Sequence, residues 1–144
     1  MGGFDNHENL IAGQDNLFTQ LDAGLGAFQT AMQELTVEPN VTTFTESEFG
    51  RTMGPSSTAG SDHAWGSNHI VIGGAVRGGE AYGRYPDLTL GGPEDAGSRG
   101  LWIPSTSLDQ YAATLAQWFG VNAPDLPLVF PNLANFTTRT LGFV

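Results

Sequence analysis

The chain has 144 residues, with fifteen acidic side chains against five basic ones, all arginine, and a formal net charge of −10. Such a surface repels phosphate backbones, which argues against nucleic acid as a partner. A hydrophobic content of 40% is enough for a packed core and argues against wholesale disorder.

With no cysteine, disulfides, thiolate nucleophiles and cysteine-ligated zinc are all excluded. No apolar run reaches the roughly eighteen residues of a membrane span, and no basic-then-apolar leader is present, so neither a transmembrane helix nor a signal peptide is expected. Twenty glycines and eight prolines predict long loops around few regular elements. The acidity serves solubility or draws in cations.

In chain order, Met1 to Asn9 opens without a regular element. Asp5 and His7 flank one residue, so in an extended backbone both point to the same side and can share a metal ion. The alternative is a capping loop, in which Asp5 or Asn9 satisfies free amides of the next helix. Leu17, Phe18, Leu21, Leu25, Phe28, Met32 and Leu35 recur at helical spacing, predicting an amphipathic helix from Gly13 to Leu35 with that stripe in the core.

Glu38-Pro39-Asn40 turns the chain into a strand at Val41-Thr42-Thr43-Phe44, and a second strand is predicted at His69-Ile70-Val71-Ile72. Between them Gly54, Pro55, Ser56, Ser57 and Gly60 read as loop. Gly73 to Gly79 reads as a glycine-lined turn rather than a phosphate loop, because no lysine follows at the required spacing. Glu80 to Arg99 reads as an ordered loop or short hairpin anchored by Tyr82, Tyr85 and Leu88, and Leu101 to Pro104 as extended. Ser107-Leu108-Asp109-Gln110 is a capping box opening a second helix that Gly120 ends. Val121 to Val144, broken by Pro124, Pro127 and Pro131, is predicted to wrap the surface as an extended tail with Leu126, Val129, Phe130, Leu133 and Phe136 in grooves.

The candidate chemistry gathers around Thr45-Glu46-Ser47-Glu48-Phe49-Gly50-Arg51-Thr52 and Ser61-Asp62-His63-Ala64-Trp65-Gly66. Glu46 and Glu48 follow one strand and Asp62-His63 precede the next, which places carboxylates and an imidazole at one sheet edge, where open α/β sheets bind ligands. Carboxylates neutralise a hard or borderline divalent cation and a neutral imidazole completes its ligand set. Taken singly, each has a plainer reading: Glu48 paired with Arg51, His63 packed beside Trp65, His69 structural.

Gly2-Gly3-Phe4-Asp5-Asn6-His7, the Thr45 to Thr52 stretch, Asp62-His63-Ala64-Trp65-Gly66 and Val71 to Gly79 resemble the C-terminal part of a bacterial family catalogued as domain of unknown function 1501. Ile103 to Leu115 and Trp118-Phe119-Gly120 resemble it too. The resemblance implies membership of the alkaline phosphatase and sulfatase-like superfamily. The expected fold is then α/β, a partial doubly wound alkaline-phosphatase-like sheet with two main helices and long loops. Residues 1–144 would form one domain, equivalent to the C-terminal third of a larger protein.

By position, Asp5 and His7 correspond to that superfamily's first C-terminal ligand pair, Glu48-Phe49-Gly50 to its Asp-His-Gly, and His63 to its last histidine. Phe49 cannot bind metal and Glu48 replaces an aspartate, which points to a single metal or a degenerate site. The implied site is therefore Asp5, His7, Glu48 and His63 as metal ligands, Asp62 behind them, and Arg51 as an anion-stabilising donor. Zinc, manganese and calcium are the candidate ions. The superfamily's nucleophile lies in the half that has no counterpart here.

Three readings follow. The first is a metal-binding, hydrolase-like domain acting on small anionic phosphate or sulfate esters if complete. The second is a non-catalytic exported interaction or oligomerising module, and the third a small serine esterase. Full-length relatives are expected to be exported to the periplasm. Self-association or a separately supplied N-terminal half would cover the exposed sheet edges and apolar faces.

Overall fold

The computed structural model describes residues 1–144, and one long helix dominates its inventory. Helix α1 spans Leu10–Glu34. It begins earlier than the apolar spacing predicts because the loop around Thr58 and Ala59 supplies its first acceptors. The Asn9 and Leu10 amides donate to the carbonyls of Thr58 and Ala59 at 3.2 and 3.0 Å, satisfying donors that a helix start leaves free. Asn9 occupies the cap position with a φ of 49° and makes no side-chain cap bond. Past α1, a 3-10 turn at Glu38–Asn40 is tied back by Gln29, whose Nε2 donates to Glu38 Oε1 at 2.9 Å.

Four short strands follow: β1 (Thr42–Phe44), β2 (Gly50–Arg51), β3 (His63–Ala64) and β4 (Val71–Gly73). β1 pairs antiparallel with β4, Thr43 opposite Ile72, and β2 pairs antiparallel with β3, Arg51 opposite His63. The mixed helix-and-strand class expected from the sequence holds. The chain's own strands, however, form two antiparallel pairs and not a parallel, doubly wound layer. Parallel pairing needs a crossover of a dozen or more residues, usually helical. The segments joining these strands are loops, and α1 precedes all four.

Helix α2 (Leu108–Phe119) carries the expected capping box between Ser107 and Gln110 and stops at Gly120 in the left-handed region. The tail departs from expectation. It forms a short helix α3 (Leu126–Val129) and a 3-10 turn at Pro131–Asn135, with a proline at the first or second position of each, where a missing N–H costs nothing. Far from lying in surface grooves, Leu126 and Leu133 form the buried core with Ala113 of α2, flanked by Ala116, Val121 and Phe130. Tyr111 of α2 joins this core to the sheet: its hydroxyl donates to the Thr45 carbonyl at 3.1 Å and its ring stacks on His69 at 5.3 Å. Burial, and secondarily the nearby Glu46 carboxylate, push the Tyr111 phenol up to about 12.

In the Glu80–Arg99 loop an aspartate adds to the expected tyrosine anchors, of which Tyr82 donates to the Arg77 carbonyl at 2.9 Å. The Asp95 carboxylate accepts the amides of Gly91, Gly97, Gly100 and Leu101 at 2.9 to 3.0 Å. The Gly91 amide and, against the pull of desolvation, the other three bring the Asp95 pKa down to about 2.

Helix α1 does not form the core that its stripe predicts. None of its residues is buried, and Phe18 and Phe28 are 51% and 43% exposed. A 25-residue helix is about 37 Å long, whereas three-residue strands span about 10 Å, so neither sheet can cover it. The accessible surface is 9155 Å², against about 7,100 Å² expected for a folded monomer of this mass.

Two outcomes follow. Leu133→Ala should lower unfolding free energy by about 2–5 kcal/mol in a urea titration, whereas Phe28→Ala should change it by less than about 0.5 kcal/mol. Because the Asp95 pKa is depressed in the fold, its carboxylate stabilises the protein above its ordinary pKa of 3.8, and that contribution is lost as pH falls towards about 2. The Tm difference between the natural chain and Asp95→Asn should therefore shrink below about pH 4. A constant gap down to pH 2 would show that the charge is not what orders the loop.

Candidate functional site

β2 and β3 bring Arg51 and His63 opposite one another, and the N-terminal loop lies across both. Two glycines permit that approach. A Cβ on Gly60 would collide with the carbonyl of His7, and one on Gly50 with the carbonyl of Gly66. Thr58 Oγ1 donates to the same His7 carbonyl at 2.6 Å, and the Ser61 amide donates to the Asn6 carbonyl at 3.1 Å. Asp5 and His7, two residues apart, are thereby aimed at the same point.

Arg51 fastens this arrangement. Its side chain is only 18% exposed. Nε donates to Ser61 Oγ at 2.9 Å, Nη2 to the Asn6 carbonyl at 2.8 Å and also to the Ser61 carbonyl, and Nη1 to Asp5 Oδ1. One planar fork therefore ties residues 5 and 6 to residue 61.

The result is a triangle of ligand atoms. Asp5 Oδ1 lies 3.0 Å from His7 Nε2 and 3.1 Å from His63 Nε2, and the two imidazole nitrogens are 3.2 Å apart. Tetrahedral ligands about 2.1 Å from a zinc-sized ion lie about 3.4 Å from one another, so small adjustments would bring the three atoms around one ion. All three residues are exposed, leaving a side open to solvent or substrate. Asp5, His7 and His63 thus form a group that could hold a metal ion. Desolvation raises the Asp5 pKa, but the His63 hydrogen bond and the nearby His7 and Arg51 charges outweigh it and leave Asp5 below the ordinary carboxylate value.

The other expected site residues lie around this group. Asp62 Oδ1 is 3.8 Å from His7 Nδ1, while its Oδ2 accepts from Arg99 Nη1 at 2.5 Å. That places Asp62 on the Nδ1 side of His7, beyond direct hydrogen-bond reach. Glu48 falls outside the group and lines a neighbouring cleft. Its neighbour Phe49 instead meets the group, with its ring stacked on His63 at a centroid distance of 3.7 Å and an interplanar angle of 15°. Arg51 donates to protein acceptors, a role that its position one residue after Gly50 does not advertise. Ser61 is 1% exposed and accepts from Arg51, and Ser47 Oγ donates to the Phe49 carbonyl. No serine hydroxyl is hydrogen-bonded to an imidazole, as an activated nucleophile requires.

Arg51→Gln should release the N-terminal loop, lowering unfolding free energy by about 2–4 kcal/mol and speeding hydrogen exchange of the Asn9 and Leu10 amides. A loss below about 0.5 kcal/mol would show that the glycine-permitted backbone contacts alone hold the site.

No curated protein and no solved structure matches the chain. A family profile described as "Protein of unknown function (DUF1501)" matches residues 1–96, which include the whole Asp5–His7–His63 group and Arg51. With two thirds of its length so matched, the chain belongs to the DUF1501 family.

Proposed function

We propose that this protein is a metal-binding, hydrolase-like domain in which Asp5, His7 and His63 hold a single divalent cation. The observation that carries the reading is the triangle of Asp5 Oδ1, His7 Nε2 and His63 Nε2, with sides of 3.0 to 3.2 Å and an open face. One carboxylate and two imidazoles suit zinc or manganese better than calcium, which prefers an all-oxygen shell.

When bound, such an ion lowers the pKa of a coordinated water and polarises an ester oxygen. The chain's own contribution is to fix the ligands: Arg51 and Gly60 hold the N-terminal loop in place, and Phe49 sets the plane of His63. Arg51 also adds positive potential beside the ligands, favouring an anionic ester such as a phosphate or sulfate monoester. The superfamily relationship expected from the sequence supports that substrate class. On this reading the nucleophile is a coordinated water or belongs to a separate partner.

The non-catalytic reading, an interaction or oligomerising module, is favoured by one observation, the uncovered apolar stripe of α1.

Chelator-treated protein should gain about 5 °C or more in Tm when zinc or manganese is added at about a hundred times Kd. Asp5→Ala and His63→Ala should abolish the gain, and Glu48→Ala should leave it intact. No shift with zinc, manganese or calcium would sink the metal reading. A concentration-dependent dimer in sedimentation velocity, lost in a Phe18→Ser/Phe28→Ser double variant, would then establish the second.

A further inference from the structure

A cleft of about 580 Å³ opens beside the Asp5–His7–His63 group, a volume within the range of small-molecule sites. Phe49 joins the two, since it lines the cleft and stacks on His63. Trp65, two residues beyond His63, and Tyr85 are each 62% exposed on its wall, and Tyr82 is 38% exposed. The two tyrosines are nonetheless held in place. The Tyr82 hydroxyl donates to the Arg77 carbonyl at 2.9 Å, and its ring meets Phe143 edge-on at 5.9 Å. Asn68 Nδ2 donates to the Tyr85 hydroxyl at 3.3 Å. Rings fixed before a ligand arrives lose little further freedom on binding it.

Polar groups alternate with these rings. Glu48, Asn68 and Arg77 line the same cleft. Arg77 has no carboxylate partner, whereas Arg51, Arg84 and Arg99 each have one. The surface thus offers flat apolar faces together with a carboxylate, an amide and a guanidinium, a set that both accepts and donates hydrogen bonds. A purely apolar ligand would desolvate Glu48 and Arg77 without pairing them. A nucleotide chain would stack on the rings, but its phosphates would meet the net charge of −10. A pyranose ring fits both features, with C–H faces for the aromatic planes and equatorial hydroxyls for the polar groups.

The geometry points to this cleft as a binding site for a neutral oligosaccharide, seated on Trp65, Tyr82 and Tyr85 and hydrogen-bonded by Glu48, Asn68 and Arg77. This goes beyond the metal-site reading and does not rest on it. Binding of the sugar itself requires no ion.

The test uses the full chain after chelation, titrated with cellohexaose, xylohexaose, mannohexaose and chitohexaose, and read by tryptophan fluorescence and calorimetry. At least one should bind saturably with Kd of about 10⁻⁵ to 10⁻³ M. Trp65→Ala and Tyr85→Ala should each weaken it about tenfold or more, with unchanged circular dichroism because both side chains are exposed. Trp118→Phe, outside the cleft, should leave it unchanged. Absence of binding by all four at about 10 mM, or binding that survives both aromatic substitutions, overturns the proposal. Sugar binding without any metal-dependent Tm gain leaves the cleft standing and removes the metal reading. A Tm gain without sugar binding does the reverse.

Discussion

The contact between Arg51 and Asp5 is the constraint on which the site depends. Residues 1–9 contribute no regular element, and an isolated loop of this kind pays backbone entropy on ordering. What offsets that cost is a guanidinium with acceptors on two separate segments: Asp5 and Asn6 on one side, Ser61 on the other. The two-residue strands β2 and β3 are too short to stabilise themselves. The same fork that places Asp5 also braces the pair that presents His63. Ligand position and local stability are therefore one property here, set largely by one side chain.

Away from that site the architecture is lightly packed. The buried core is a small cluster between α2 and the tail, remote in sequence from the ligand group. The sheets are joined to it through Tyr111, which reaches the Thr45 carbonyl and stacks on His69. α1 is only lightly covered, by the N-terminal loop, whose Phe4 ring lies 5.4 Å from that of Phe18, and by contacts near its two ends. The helix keeps an apolar stripe that the chain's own fold leaves largely exposed.

Much of the local structure was legible in the sequence because it rests on short-range chemistry. The Ser107–Gln110 capping box, the Gly120 stop, the period of α1 and the strands around Thr43 and Ile72 each follow from a few neighbouring residues. The alternation of Asp5 and His7 likewise foretold that they would face the same way, and the structure brings them within 3.0 Å. What could not be read depends on distant partners. Periodicity says that α1 has an apolar face, not that the chain contains anything to cover it. The prolines of the tail suggested an extended path, yet they sit at the starts of helical turns whose leucines fill the core. Spacing placed Glu48 with the ligands. The stacking of Phe49, not Glu48, against His63 is a contact between positions fourteen apart that no local pattern announces. The Asp95 anchor was missed for the same reason, although four glycines within ten residues, Gly91, Gly92, Gly97 and Gly100, were a usable hint.

The way the N-terminal loop is fastened also fixes an order of events. Asp5 and Arg51 are 46 positions apart, and the loop they close contains the whole of α1. The helix can wind on the microsecond scale of local structure and gives Phe4 the Phe18 ring to pack on, but the polar anchors at Arg51 and Ser61 come together only with the β2–β3 pair. Held by side chains and isolated backbone bonds instead of a ladder, the ligand group belongs to the least secured part of the molecule. Any species that spans Asp5 and His63 would act as a clasp on the least secure seam of the molecule, slowing its breathing more than its global unfolding.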